Sequence, residues 1–138
     1  MVERTLTIIK PDGVQQRCAG EIIAMIEKAG FRIAAARLIH MTRAEAQGFY
    51  AVHRERPFFS SLTEFMSSGP CIPMVLEAED AIKRLRDLMG ATDPAQAAEG
   101  TIRKRFASNI EKNVIHGSDA TTTAAIEIRY FFSELELT

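Results

Sequence analysis

Arg4-Thr5-Leu6-Thr7-Ile8-Ile9-Lys10-Pro11-Asp12-Gly13 is the stretch that sets the architecture. Its opening run from Arg4 to Ile9 alternates and is rich in β-branched side chains, which predicts a strand. Pro11 then fixes φ, and Asp12 and Gly13 suit a turn, so the strand is expected to stop at Lys10. A lysine directly before a turn is presented at a sheet edge, whereas most lone lysines simply solvate a surface.

Further along, Ile22, Ile23, Ile26 and Ala29 recur at helical spacing, and Gly30 is placed to end that helix. Phe31 to Met41 is a second strand candidate that its alanines leave ambiguous. Thr42 with Glu45 forms a capping-box pattern, predicting a short helix over Arg43 to Val52. Pro57 opens another helix, with Phe58, Phe59, Leu62, Phe65 and Met66 on one face. Ser67-Ser68-Gly69-Pro70 breaks it. Ile72 to Leu76 reads as a third strand and Ala81 to Met89 as a helix stopped by Gly90. From Gly90 to about Asp119 the periodicity weakens, the mark of a functional or disordered loop. Ala124, Ala125, Ile128, Phe131 and Phe132 define a last helix. No repeat or linker interrupts the pattern. The expectation is one domain over residues 1–138 with an α+β architecture.

Composition excludes several classes. The 138 residues are 46% hydrophobic and 25% charged, ordinary for a globular chain. A net charge of −1 and a pI of about 6.3 give no nucleic-acid footprint. No leader-like apolar stretch follows Met1, and no window approaches the ~20 apolar residues of a membrane span, so a cytoplasmic location is expected. Cys18 and Cys71 lack CxxC spacing and read as reduced thiols. The glycines, at 13, 20, 30, 48, 69, 90, 100 and 117, are too far apart for a dinucleotide fingerprint or a P-loop. His40, His53 and His116 are too far apart for HExxH, and no EF-hand or nucleophile-elbow pattern occurs. Any phosphate binding must then come from side-chain cations and an unusual loop, with a histidine as the remaining nucleophile.

Asn113-Val114-Ile115-His116-Gly117-Ser118-Asp119 supplies such a histidine. Imidazole titrates near ~6.5, so it is largely neutral and nucleophilic at neutral pH. The segment resembles the active-site signature of nucleoside diphosphate kinases of bacterial type. The resemblance extends over essentially the whole chain: Thr5-x-x-Ile8-Ile9-Lys10-Pro11-Asp12, Gly48-Phe49-Tyr50, Arg56-Pro57-Phe58-Phe59, Met66 to Pro70, Arg86 to Pro94, and Gly100-Thr101-Ile102-Arg103.

The resemblance implies a ferredoxin-like, four-stranded antiparallel sheet with helices packed on it. It also implies that His116 Nδ1 takes the γ-phosphoryl group of a nucleoside triphosphate and passes it to a nucleoside diphosphate, a ping-pong scheme with broad base and sugar tolerance. Glu127 matches the carboxylate that bonds the other ring nitrogen, and Ser118 the hydroxyl that bonds Glu127. By spacing alone these read as a solvated helix glutamate and an N-cap. Lys10, Arg86 and Arg103 match the phosphate-binding cations, and Thr92 and Tyr50 hydroxyls near the phosphates and His116. Gly117 leaves room for an approaching phosphate. Phe58 and Leu62, core by periodicity, match the clamp that stacks the base, and Asn113 the residue that contacts the ribose. Mg²⁺ is expected to arrive on the phosphates, with no protein metal site. A homo-oligomer built from dimers is implied, and the chain end shortly after the last helix favours a tetramer over a hexamer.

Two rivals remain: a catalytically silent nucleotide-binding or regulatory module on the same fold, and a nucleic-acid-binding sheet. The second is disfavoured by aliphatic strands and slight negative charge. The sequence departs from the family pattern at Arg105, where Asp is usual beside Arg103; a like charge there would loosen the loop or alter a subunit contact. Ala120-Thr121-Thr122-Thr123 is also an unusual helix start.

Overall fold

The computed structural model describes the whole chain, Met1 to Thr138. Strand β1 (Val2–Ile9) runs through the middle of an antiparallel sheet. It pairs along its full length with β3 (Ile72–Glu79), from Val2↔Glu79 to Ile9↔Ile72. Its other edge carries the short β4 (Ile115–Gly117), and β2 (Arg32–Ala36) lines the far side of β3. The strand order is β2-β3-β1-β4, with four strands in all. Each pair β1/β2 and β3/β4 is split by a strand of the other, which is the ferredoxin-like arrangement.

Seven α-helices complete the chain: α1 (Pro11–Gln15), α2 (Ala19–Lys28), α3 (Arg43–Phe49), α4 (Phe59–Met66), α5 (Ala81–Met89), α6 (Ile102–Phe106) and α7 (Thr121–Phe131). They cover both faces of the sheet, because both faces of β1 and β3 are apolar or buried. On one face Ile9, Met74 and Leu76 meet Ile22 and Ile26 of α2 and Leu85 and Met89 of α5. On the other, Leu6, Ile8 and Val75 meet Ala46, Met66, Ile128 and Phe131.

Several elements differ from the expectations set by sequence. Lys10-Pro11-Asp12-Gly13 is not a simple turn: Pro11 sits at the first position of α1, where its missing N–H costs nothing. The second strand is only Arg32–Ala36, because a bulge between Ile33 and Ala35 shifts its register and only an isolated Ile39↔Cys71 bridge continues the pairing. The predicted capping box of α3 is present, but the helix stops at Phe49 and a 3₁₀ turn covers Ala51–His53. The third strand runs on to Glu79. The stretch read as a loop from 90 to 119 contains α6, capped by Thr101, and β4. Thr123 accepts from the Ala120 N–H at 3.0 Å, which explains the threonine-rich start of α7. Gly30 ends α2 with φ of +96° as expected.

Arg105 lies in α6 and not in a loop. Its guanidinium turns to α2, pairing with Glu21 at 3.2 Å and lying 4.8 Å from the Phe106 ring centroid.

Leu76 lies at the sheet centre with no exposed surface. Leu76→Ala should lower unfolding free energy by about 2–5 kcal/mol, the usual range for a buried leucine. Urea titration checks this, with the expectation that the m-value stays unchanged.

Candidate active site

His116 lies in β4 opposite Ile8 of β1, so its side chain shares the face covered by α3 and α7. There its Nε2 is 2.9 Å from Glu127 Oε1 of α7. The same carboxylate oxygen accepts from Ser118 Oγ at 2.7 Å. Ser118 is held in turn by Leu6, whose N–H donates to its Oγ at 3.3 Å and whose C=O accepts from its N–H at 3.1 Å. It does not cap α7; Ala120 occupies that position. Burial alone would raise the Glu127 carboxyl, but the bonds from His116 and Ser118 outweigh it and hold the group below the ordinary range. An ionised carboxylate can only accept, so in the neutral imidazole the proton sits on Nε2 and the lone pair on Nδ1. Phe49 packs edge-on to the imidazole, its ring centroid 5.4 Å away.

Tyr50 ends α3 with its ring 6.5 Å from that of His116. Its hydroxyl is buried with no hydrogen-bond partner, and burial together with the Glu127 charge pushes its pKa up. Gly117 alternates to the opposite face. A Cβ there would come within 2.6 Å of Met89 Sδ and 3.2 Å of Leu85 Cδ2, so the missing side chain lets α5 approach. Its carbonyl accepts from Arg86 Nη1 at 3.3 Å.

The cations converge from three elements. Lys10, at the end of β1, is buried and donates to Asn113 Oδ1 at 2.8 Å. Burial, then the charge of Arg103, pulls its pKa down to about 8. Arg103, on α6, bonds the carbonyls of Gly90 (3.1 Å) and Ile115 (2.7 Å), while its buried Nε has no partner. Burial and then Arg86 lower it to about 10. Arg86, on α5, is half exposed and pairs with Asp119 at 2.8 Å. Asn113 Nδ2 donates to Ile110 O at 2.7 Å and more weakly to Thr92 O at 3.3 Å, tying the loop before β4 to the loop after α5.

Asn113, Val114 and Ile115 form a γ-turn, the Ile115 N–H donating to Asn113 O at 2.8 Å around Val114 at φ +63°. That conformation is strained for a β-branched residue and costs on the order of 1–3 kcal/mol.

Phe58 and Leu62 stand apart from this group, just before and within α4. Phe58 is 46% exposed, which the helical pattern alone would not have given. Ser61, between them and the loop, donates to Glu111 at 2.8 Å. That bond brings α4 to the segment Ser108-Asn109-Ile110-Glu111-Lys112, where Ile110 is 59% exposed. Ile110 was not singled out from the sequence; an isoleucine in a polar run was its only signal. Two surface depressions, of about 500 and 420 Å³, meet at Arg86, and neither is lined by His116.

A carboxylate-oriented imidazole on a strand whose flanking carbonyls, Ile115 and Gly117, hold Arg103 and Arg86 is the equipment of a phosphotransferase that works through a histidine. The nucleoside diphosphate kinase family model matches residues 3–137. A nucleoside diphosphate kinase of Desulfosudis oleivorans is 64% identical over 99% of this chain and 98% of its own, and one of Nitratidesulfovibrio vulgaris is 61% identical over 99% of each. Among solved structures, the Aquifex aeolicus nucleoside diphosphate kinase superposes with a TM-score of 0.98 at 47% identity, covering all of both chains. The Halobacterium salinarum enzyme, solved with CDP, superposes with a TM-score of 0.96 at 39% identity, covering 100% of this chain and 92% of that one. The chain belongs to the nucleoside diphosphate kinase family, enzymes that move a terminal phosphoryl group between nucleoside tri- and diphosphates.

Because Glu127 titrates lower in the folded state than its ordinary 4.5, the stability it contributes is complete above that pH and is lost as pH falls through its lower folded value. Glu127→Gln should therefore flatten the acid limb of the stability curve. Urea unfolding measured across that acid range checks it, and a limb as steep as in the unmodified protein would contradict the pairing.

Proposed function

We propose that His116 is the residue that carries the phosphoryl group in this protein. The observation behind the reading is the Glu127 bond to Nε2, which leaves Nδ1 as the nucleophile. Nδ1 attacks the γ-phosphorus of a nucleoside triphosphate; the P–O bond to the leaving diphosphate breaks as the P–N bond forms. The imidazolium that results is stabilised by Glu127, itself held by Ser118. An incoming nucleoside diphosphate then takes the group in the reverse sense.

Lys10, Arg86 and Arg103 neutralise charge on the phosphates, with Thr92 and Tyr50 as neighbouring hydroxyl donors. Arg86 would exchange its Asp119 partner for phosphate, and Gly117 contributes through its backbone. Asn113, with Lys10, is placed to meet the ribose hydroxyls. Phe58 and Leu62 take one face of the base, and exposed Ile110 borders the same mouth. Stacking reads a π-face and not hydrogen-bonding edges, so every base is accepted. The CDP held by the Halobacterium salinarum relative is in keeping with pyrimidine acceptance. The donor set at the phosphate end, Lys10, Arg86 and Arg103, is cationic. That fits Mg²⁺ held by the phosphates themselves, where it would supply further charge neutralisation.

Residues 1–138 act as one catalytic domain. We place it in the cytoplasm as a homo-oligomer built from dimers, a tetramer before a hexamer; no helix is long and apolar enough to cross a membrane. β2 is an edge strand, and its Ala34 carbonyl accepts from the Thr138 N–H at 3.0 Å.

Incubation with γ-labelled ATP should label the protein with a phosphate that is acid-labile and base-stable, and His116→Ala should abolish the label. A label of the opposite lability, or one that persists in the variant, would overturn the mechanism. ATP, GTP, CTP and UTP should all serve as donors. Phe58→Ala should raise KM for all of them together by about 5- to 150-fold, from ~1–3 kcal/mol per stacked base. A loss confined to one base would remove Phe58 from the clamp.

A further inference from the structure

Asp12 is a half-buried acid for which the scheme above has no use. Its Oδ2 accepts from the Val114 N–H at 3.2 Å, while its Oδ1 is buried without a partner. Burial raises its pKa, and the charge of Lys10 opposes that rise. A carboxylate with half its accepting capacity unused is costly to bury. It sits, however, against the most strained residue of the site. The Val114 carbonyl accepts from the Lys10 N–H at 2.8 Å, so the segment from Lys10 to Asp12 holds both backbone polar groups of Val114.

We propose that Asp12 is a positioning residue for phosphoryl transfer, bracing the γ-turn that joins Asn113 to the His116 strand and supplying negative charge beside Lys10. The inference rests on the roles given above to Lys10, Asn113 and His116. Its two parts are physically separable. The brace needs only an oxygen that accepts from Val114; the charge needs a carboxylate. Four influences act on the Lys10 ammonium: burial and Arg103 lower its pKa, and Asp12 and Glu111 raise it. Removing Asp12 takes away the first-ranked of the two raising charges and favours the neutral amine.

Asp12→Asn keeps an acceptor for Val114 and removes the charge, while Asp12→Ala removes both. In the unmodified protein kcat/KM should fall on the alkaline side near the Lys10 value of about 8. In Asp12→Asn that limb should move down by about one pH unit, the effect of losing a neighbouring opposite charge. Well below the limb, where Lys10 is charged in either protein, Asp12→Asn should match the parent. Asp12→Ala should there lose kcat by roughly 10- to 100-fold, as expected of misplaced reacting groups. Melting curves establish that each variant is folded, and Asp12→Asn carries the test if Asp12→Ala is not.

An unmoved alkaline limb in Asp12→Asn would overturn the charge role. Asp12→Ala equal to Asp12→Asn below the limb would overturn the brace. Lys10→Gln separates these failures from that of the underlying reading: full activity in that variant would remove Lys10 from the site and the Asp12 inference with it. Loss of activity in Lys10→Gln with no shift in Asp12→Asn would count against Asp12 alone.

Discussion

Thr7, Ile8 and Ile9 pair with Gly117, His116 and Ile115, and this short ladder decides which side of the sheet each group occupies. Strand side chains alternate with a period of two, so a slip of one residue would exchange the faces. His116 would then point at α5, and Gly117 would leave a gap where Glu127 and Phe49 now meet the imidazole. The register is pinned from several directions. The Thr7 hydroxyl donates to His116 O at 2.7 Å, Ser118 is held by Leu6, and Met89 packs where only a glycine hydrogen fits. Packing on one face of the sheet therefore orients the chemistry on the other.

The charge distribution follows from the same geometry. Lys10 and Arg103 are both buried, and burial lowers their affinity for protons, with the charge of Arg103 adding to it at Lys10 and that of Arg86 at Arg103. In the absence of an anion this arrangement is unfavourable. In the scheme proposed above, polyphosphate would relieve the repulsion and replace lost hydration with fixed donors, so that part of the free energy stored in the folded cations would become binding and transition-state stabilisation. The fold tolerates this because the guanidinium of Arg103 is fastened to two main-chain carbonyls, which hold it where relaxation away from Lys10 is blocked.

Legibility in the sequence tracked periodicity. β1, α2, α5 and α7 announce themselves through apolar spacing, and the capping box of α3 was readable from Thr42 and Glu45. The α+β class followed, but the strand order did not; it was implied only by resemblance to the family. α6 and β4 are too short to carry a period, and they lie where the pattern fades. Arg103, Asn113 and His116 could be named through the family signature, yet their approach to Lys10 depends on contacts across about a hundred residues of sequence, such as Lys10–Asn113. The coverage of both sheet faces was not legible in the alternation of β1, because Thr5 and Thr7 are as inaccessible as Leu6 and Ile8 despite their hydroxyls. Arg105 shows the reverse case: a substitution that looks repulsive in one dimension finds Glu21 in three.

Phe49 against the imidazole, with only 19% of the His116 side chain open to solvent, bears on the lifetime of the covalent intermediate. Between half-reactions the donor's remnant has left and the acceptor has not yet arrived, and water is the competing acceptor. With Phe49 on one side and Glu127 on another, the imidazole is open over little of its surface. In the proposed scheme a diphosphate guided by the cations would arrive already aligned, while a water molecule would have no such guidance. A surface that looks too shallow to enclose a substrate can thus still favour transfer over hydrolysis.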